Sequence, residues 1–159
     1  FIGKEMFMKN FKELDKRKAS EVEKSILENW KKEDILKVLS ELKVSPEEFW
    51  VVSSGALVLR GIFPDAGDID LAVTDRGLEE LKENYSLKPK GNGWYQVSDC
   101  IECVCDGKKE NLPYQPERIG EYYVQNIEEY EAYLKTSTRE KDQKRIPIVR
   151  AYIQKRNGK

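Results

Sequence analysis

The chain has 159 residues, enough for one domain with a real core and too few for two ordinary ones. Its 28 basic and 29 acidic side chains leave a net charge of -1, which argues against a protein that coats nucleic acid and leaves room only for a local basic patch. There is no histidine, which excludes a Ser-His-Asp triad, histidine base catalysis and His-ligated zinc, so any metal has to be held by carboxylates, carbonyls or thiolates.

No apolar run approaches the length of a membrane helix, and the start carries no signal-peptide pattern, so no membrane association and a cytoplasmic location are expected. The first residue is Phe1 and not Met, which leaves a preceding segment open. Residues 1–19 are charged with scattered aromatics and weak periodicity, and read as a peripheral helix or a disordered stretch. Ser20 with Glu23 reads as a capping box opening a helix whose apolar face is Val22, Ile26, Leu27 and Trp30. Ile35, Val38, Leu39 and Leu42 predict a second helix, ended near Ser45-Pro46.

Phe49 to Val52 reads as a central strand, Ala56 to Leu59 as a brief helix ended at Gly61, and Ile69 to Val73 as a second strand. Gly77 to Asn84 predicts a short helix. Tyr85 to Leu87 and Trp94 to Val97 predict strands around the turn Lys90-Gly91-Asn92-Gly93. Cys100 to Cys105 is a further strand, residues 108–120 a loop, and Glu121 to Val124 a last, edge strand. Asn126 with Glu129 starts a helix bearing Ile127, Tyr130 and Leu134, and a final helical region runs from about Thr138, disturbed at Pro147. Helices, alternating strand and helix, a strand cluster and helices again make residues 1–159 one α+β domain, a mixed sheet flanked by helices.

Three features carry chemistry. Asp68 and Asp70, two apart, share one face of a strand otherwise made of Ile69, Leu71 and Val73. Paired carboxylates in such a setting repel and lose hydration, and a hard divalent cation is the usual resolution. A calcium loop fails on counting: with Asp68 at position one, Glu79 falls at twelve, but Ala72 and Val73 stand where an acid or amide and a glycine are required. Ser53-Ser54-Gly55, a small-residue turn between strand and helix, allows backbone N–H groups to approach an anion, though such turns also serve close packing. Glu102 interrupts an apolar strand and is a candidate third acid, with Asp99 its rival at the strand edge. The cysteines in Cys100-x-x-Cys103-x-Cys105 lack a fourth ligand for structural zinc and read as small hydrophobes.

This pattern resembles the nucleotidyltransferase superfamily of the polymerase-β type, most of all its small single-domain bacterial and archaeal members. Their hG[GS] turn, short helix and [DE]h[DE]h strand match Val52-Ser53-Ser54-Gly55-Ala56-Leu57 and Asp68-Ile69-Asp70-Leu71, and their third acid matches Glu102. Ser53 stands where Gly is usual. Many small members carry a helical Lys and then Arg-x-Lys-Asp, matched by Lys135 and by Arg139-Glu140-Lys141-Asp142, but Arg145 lies near where a further acid is expected.

The resemblance implies two divalent cations, Mg²⁺ or Mn²⁺, roughly 3.5–4 Å apart on Asp68, Asp70 and Glu102, with Glu102 also receiving the acceptor proton. It implies that Ser54 and the backbone of Ser53 to Gly55 hold the β- and γ-phosphates of a nucleoside triphosphate, with Lys135 a further contact, whereas Lys141 reads as a solvated helix charge. The implied activity moves a nucleoside monophosphate, AMP from ATP, onto a hydroxyl of a small molecule, a tRNA or a protein. The implied partners are a second copy or a helical protein. The alternatives are a non-catalytic nucleotide-binding domain on the same fold, motivated by Ser53 and the lost acid, and a structural protein with incidental acids.

Overall fold

The computed structural model describes residues 30–158. The elements run α1 (Lys32–Glu41), β1 (Phe49–Val52), α2 (Ser53–Leu59), β2 (Ile69–Val73), α3 (Asp75–Asn84), β3 (Lys88–Gly91), β4 (Trp94–Gln96), β5 (Ile101–Cys105), β6 (Glu117–Ile119), β7 (Tyr122–Val124), α4 (Ile127–Thr136) and α5 (Glu140–Asn157). The seven strands form one mixed sheet in the order β3-β4-β5-β2-β1-β7-β6, so the architecture is α+β. None of the described helices is long and apolar enough to cross a membrane.

The centre of the sheet is apolar on both faces. All four residues of β1 are buried, as are all of β2 except Asp70. Phe49, Val51, Ile69, Leu71, Val73, Ile101 and Cys103 join one cluster with Ile35, Val38 and Leu39 of α1 and Ala56, Val58 and Leu59 of α2. On the opposite face Trp50, Val52 and Ala72 pack, among the described residues, with Trp94, Val104, Leu112 and Tyr123. Asp70 and Glu102 belong to this second face, because β1–β2 pairing sets Val52 against Asp70 and β2–β5 pairing sets Asp70 against Glu102. At the acid-bearing end of this face Asp68 is exposed and Asp70 and Glu102 are half-buried.

α4 and α5 pack on each other and on Leu57 through Ile127, Tyr130, Leu134 and Val149. The Asn126 side chain accepts from the N–H groups of Glu128 and Glu129, the cap that the sequence predicts for α4. α5 runs its 18 residues straight through Pro147, so the expected disturbance does not end it.

Several expectations are corrected. Trp30 lies in no helix: its backbone pairs with Ala66 in an isolated bridge, and its ring is buried in the main core. Ser20, Glu23, Val22, Ile26, Leu27 and residues 1–19 lie outside the described residues. Tyr85 to Leu87 is not a strand, because the Tyr85 N–H closes the end of α3 on Leu81 and its hydroxyl accepts from the Lys43 N–H. The strand instead begins at Lys88 and is exposed throughout, leaving no hydrophobic alternation to read. Its hairpin turns on Asn92 and Gly93, both at positive φ, between the paired residues Gly91 and Trp94. The segment from Tyr122 to Val124 is not an edge strand, since β6, hidden in the predicted 108–120 loop, pairs outside it.

Candidate functional site

Asp68 immediately precedes β2, Asp70 lies within it, and Glu102 lies on the parallel neighbour β5 directly opposite Asp70. One carboxylate oxygen from each of the three lies within 4.8 Å of the others. Among the described residues this is the one cluster of such side chains close enough to hold a cation. Asp99, the rival third acid, is not part of it.

The electrostatics follow from that convergence. Burial pushes the Asp70 carboxyl up to about 7, and the charges of Asp68 and Glu102 push the same way, against Lys90 and Lys141. Burial and Glu102 also raise Asp68, again opposed by Lys141 and Lys90. The Lys90 ammonium donates to Glu102 Oε2 at 2.7 Å. The donor set is all oxygen and anionic, which fits hard divalent cations of the Mg²⁺ or Mn²⁺ kind.

Beside the acids opens a cleft of about 630 Å³, lined among others by Ser54, Phe63, Asp65, Asp68, Lys141 and Arg145. Its size is that of a site for a nucleotide-sized ligand. Lys141 and Arg145 are four apart on α5 and so share one helix face. Arg145 is held by the Tyr130 hydroxyl at 2.8 Å and stands over the Phe63 ring at 5.0 Å. The start of α5 is anchored by Asp142, buried under hydrogen bonds from Arg139 and the Ser137 hydroxyl. The Arg139 hydrogen bonds hold the Asp142 carboxyl below its ordinary value. The motif Arg139-x-Lys141-Asp142 thus has two jobs: its outer pair fixes the helix start while Lys141 lines the cleft.

Lys135, the expected phosphate contact, does not line this cleft. It sits exposed at the end of α4 with Nζ 3.7 Å from Glu131 Oε1. Lys141, read from sequence as a solvated charge, takes the cleft position. The i, i+4 spacing of Lys141 and Arg145 was the available signal.

Ser53, Ser54 and Gly55 form the first turn of α2 rather than a turn ahead of a helix starting at Ala56, and they divide by role. Ser53 has φ 58, in the left-handed region that favours glycine, and its N–H donates to Gln125 Oε1 at 3.0 Å. Ser54 faces the cleft. Gly55 is buried, and a Cβ there would meet Val51 Cγ1 at 2.9 Å, so Gly55 serves close packing of α2 on β1. The left-handed backbone gives a physical reason for a glycine preference at position 53. Ser53→Gly is expected to hold or raise stability by up to about 1 kcal/mol, and Ser53→Val to lower it by about 2 kcal/mol, read as shifts of the urea midpoint. Equal midpoints for the two variants would contradict the backbone argument.

Gln125 is in turn held by Arg60, whose guanidinium donates to the Gln125 carbonyl at 2.8 Å and to Glu117. Neither Arg60 nor Gln125 stood out in the sequence, because each belongs to the site only through contacts distant along the chain. Comparison with family models, curated proteins and solved structures finds no match for this chain.

Proposed function

We propose that the chain is a metal-dependent nucleotidyltransferase with a polymerase-β-type arrangement, moving a nucleoside monophosphate from a triphosphate to a hydroxyl acceptor. The observation that carries this reading is the convergence of Asp68, Asp70 and Glu102 from adjacent strands beside a cleft bearing Ser54, Lys141 and Arg145. The sequence of a short helix after β1, an antiparallel acid-bearing β2 and a parallel β5 with the last acid supports the fold assignment.

In this reading Ser54, Lys141 and Arg145 bind the triphosphate tail, two cations and a hydroxyl against its negative charge. Asp68, Asp70 and Glu102 would hold a divalent cation, which would supply neutralisation of phosphate charge and acidification of the acceptor hydroxyl. The acceptor oxygen forms a bond to the α-phosphorus, the bond to the bridging oxygen breaks, and pyrophosphate leaves. Glu102 receives the acceptor proton and passes it to solvent. Adenine is the expected base and the cytoplasm the expected compartment. A small molecule, a tRNA end or a protein hydroxyl serves as acceptor. A second copy or a helical protein is the expected partner.

The test is incubation with α-labelled nucleoside triphosphates, Mg²⁺ and acceptor pools, comparing wild type with Asp68→Ala plus Asp70→Ala. Label transfer that depends on the acids supports the proposal. Absence of transfer and of pyrophosphate release from every nucleotide overturns it. The second reading, a nucleotide-binding domain without turnover, is favoured by the Ser53 N–H being occupied by Gln125. Nucleotide binding unaffected by Glu102→Gln would select it.

A further inference from the structure

Lys90 is the one cation hydrogen-bonded to the acid cluster among the described residues. It comes from the edge strand β3, two strands away from Glu102. The β3–β4 register shifts between Pro89 and Gly91, which leaves Lys90 in a bulge. Bulges re-aim side chains, and this one sends the Lys90 side chain across β4 to Glu102 Oε2 at 2.7 Å. Gln96 of β4, paired with Glu102 in the ladder, directs its own amide to the carbonyls of Ser98 and Ile101 and leaves the carboxylate to Lys90.

Three carboxylates carry up to three negative charges. Lys90 contributes one positive charge in direct contact and Lys141 a second from the cleft wall. One divalent cation then brings the cluster to neutrality or beyond. A second would crowd the same small cluster beside the Lys90 ammonium and the first ion, and like charges at such range repel strongly where water is partly excluded.

Resting on the metal-binding reading above, we infer that Lys90 occupies the position of a second cation at Glu102, so that this site takes a single divalent ion. Lys90 is a positioning residue here: it neutralises and orients Glu102 while leaving Asp68, Asp70 and the other Glu102 oxygen to the metal.

The experiment is Mn²⁺ titration of the full chain followed by electron paramagnetic resonance, with circular dichroism confirming that each variant is folded. Wild type is expected to bind one Mn²⁺ per chain, Lys90→Met to bind two with spin–spin broadening from the pair, and Lys90→Arg to return to one. Lys90→Gln serves as a second neutral variant, with two ions expected. Two ions on wild type, or one on both neutral variants, overturns the inference and leaves the metal site standing. No Mn²⁺ on wild type, or binding indifferent to Asp70→Asn, overturns the metal site and the inference with it.

Discussion

If the chain has the proposed transferase activity, Asp70→Asn is expected to abolish transfer while making the metal-free protein more stable. The loss of activity should be on the order of a thousandfold, about 4 kcal/mol of transition-state stabilisation, because the cluster loses its central anionic ligand. The gain in stability has a separate origin. Burial and two neighbouring carboxylates lift Asp70 from 3.8 to about 7 in the folded protein. The folded state therefore binds a proton more tightly than the unfolded chain does, and wild-type stability falls as pH rises from about 4 to about 7, then levels.

Asparagine cannot ionise and removes this penalty. The full shift would correspond to about 4 kcal/mol, but Asp70 is only half-buried, and solvent screening brings the expected gain nearer 1–2 kcal/mol at pH 8. The difference between variant and wild type should vanish towards pH 4. Melting both proteins in EDTA at pH 4, 6 and 8 checks the sign. Adding Mg²⁺ should raise the wild-type midpoint most at pH 8, where the carboxylates are ionised, and leave the variant nearly unmoved. A variant less stable than wild type at pH 8 without metal would contradict the strained-cluster account.

Arg60→Met is expected to be the most damaging single change to stability outside the apolar core. The Arg60 side chain is 2% exposed and ends α2. It reaches Glu117 of β6, the Gln125 carbonyl before α4 and the Tyr152 hydroxyl of α5. Methionine keeps much of the volume but leaves the Glu117 carboxylate with Arg156 alone as its side-chain cation, at 3.1 Å, and the Gln125 carbonyl without this donor. Breaking such a shielded pair costs about 3 kcal/mol, or about 6–12 °C in melting temperature for a chain of this size.

Desolvation pushes Glu117 up, but the Arg60 hydrogen bond, the Ile127 N–H and the charges of Arg60 and Arg156 outweigh it and hold its carboxyl below 4.5. The stabilisation is therefore present above that pH and lost as pH falls through the depressed value, so the wild-type advantage should shrink in acid. Tyr152→Phe, which removes only the 3.3 Å contact, should cost under about 1 kcal/mol. Because Gln125 also receives the Ser53 N–H, Arg60→Met should loosen the start of α2 beside the cleft and, under the proposed function, raise the apparent Kd for nucleotide as well.

Much of this molecule is legible along the chain because its signals are local. Phe49 to Val52 is a short, fully apolar run and Ile69 to Val73 is apolar except for Asp70; both are bounded by turn residues and form at their predicted limits. Asn126 caps α4 for a reason confined to three residues. The strand period predicts Asp68 and Asp70 on one side of a strand; β2 begins only at Ile69, and Asp68 joins the cluster from the bend just before it. Where the apolar signal fails, reading fails with it: β3 is exposed throughout, and β6 carries Glu117 and Arg118 in three residues.

The amino-acid order thus establishes an α+β chain without histidine chemistry, with two acids on a common strand face next to a small-residue turn. It does not say that Glu102 lies opposite Asp70, since that depends on β2 and β5 pairing in parallel across a 32-residue offset along the chain, Asp70 to Glu102. Nor does it say which lysine matters. Lys135 and Lys141 look alike in sequence, and the packing of α5 against α4 and Leu57 brings Lys141 to the cleft while Lys135 stays with Glu131 in solvent. Those outcomes follow from long-range burial of apolar surface, which selects a register and a helix rotation for the whole element and carries the charged side chains with it.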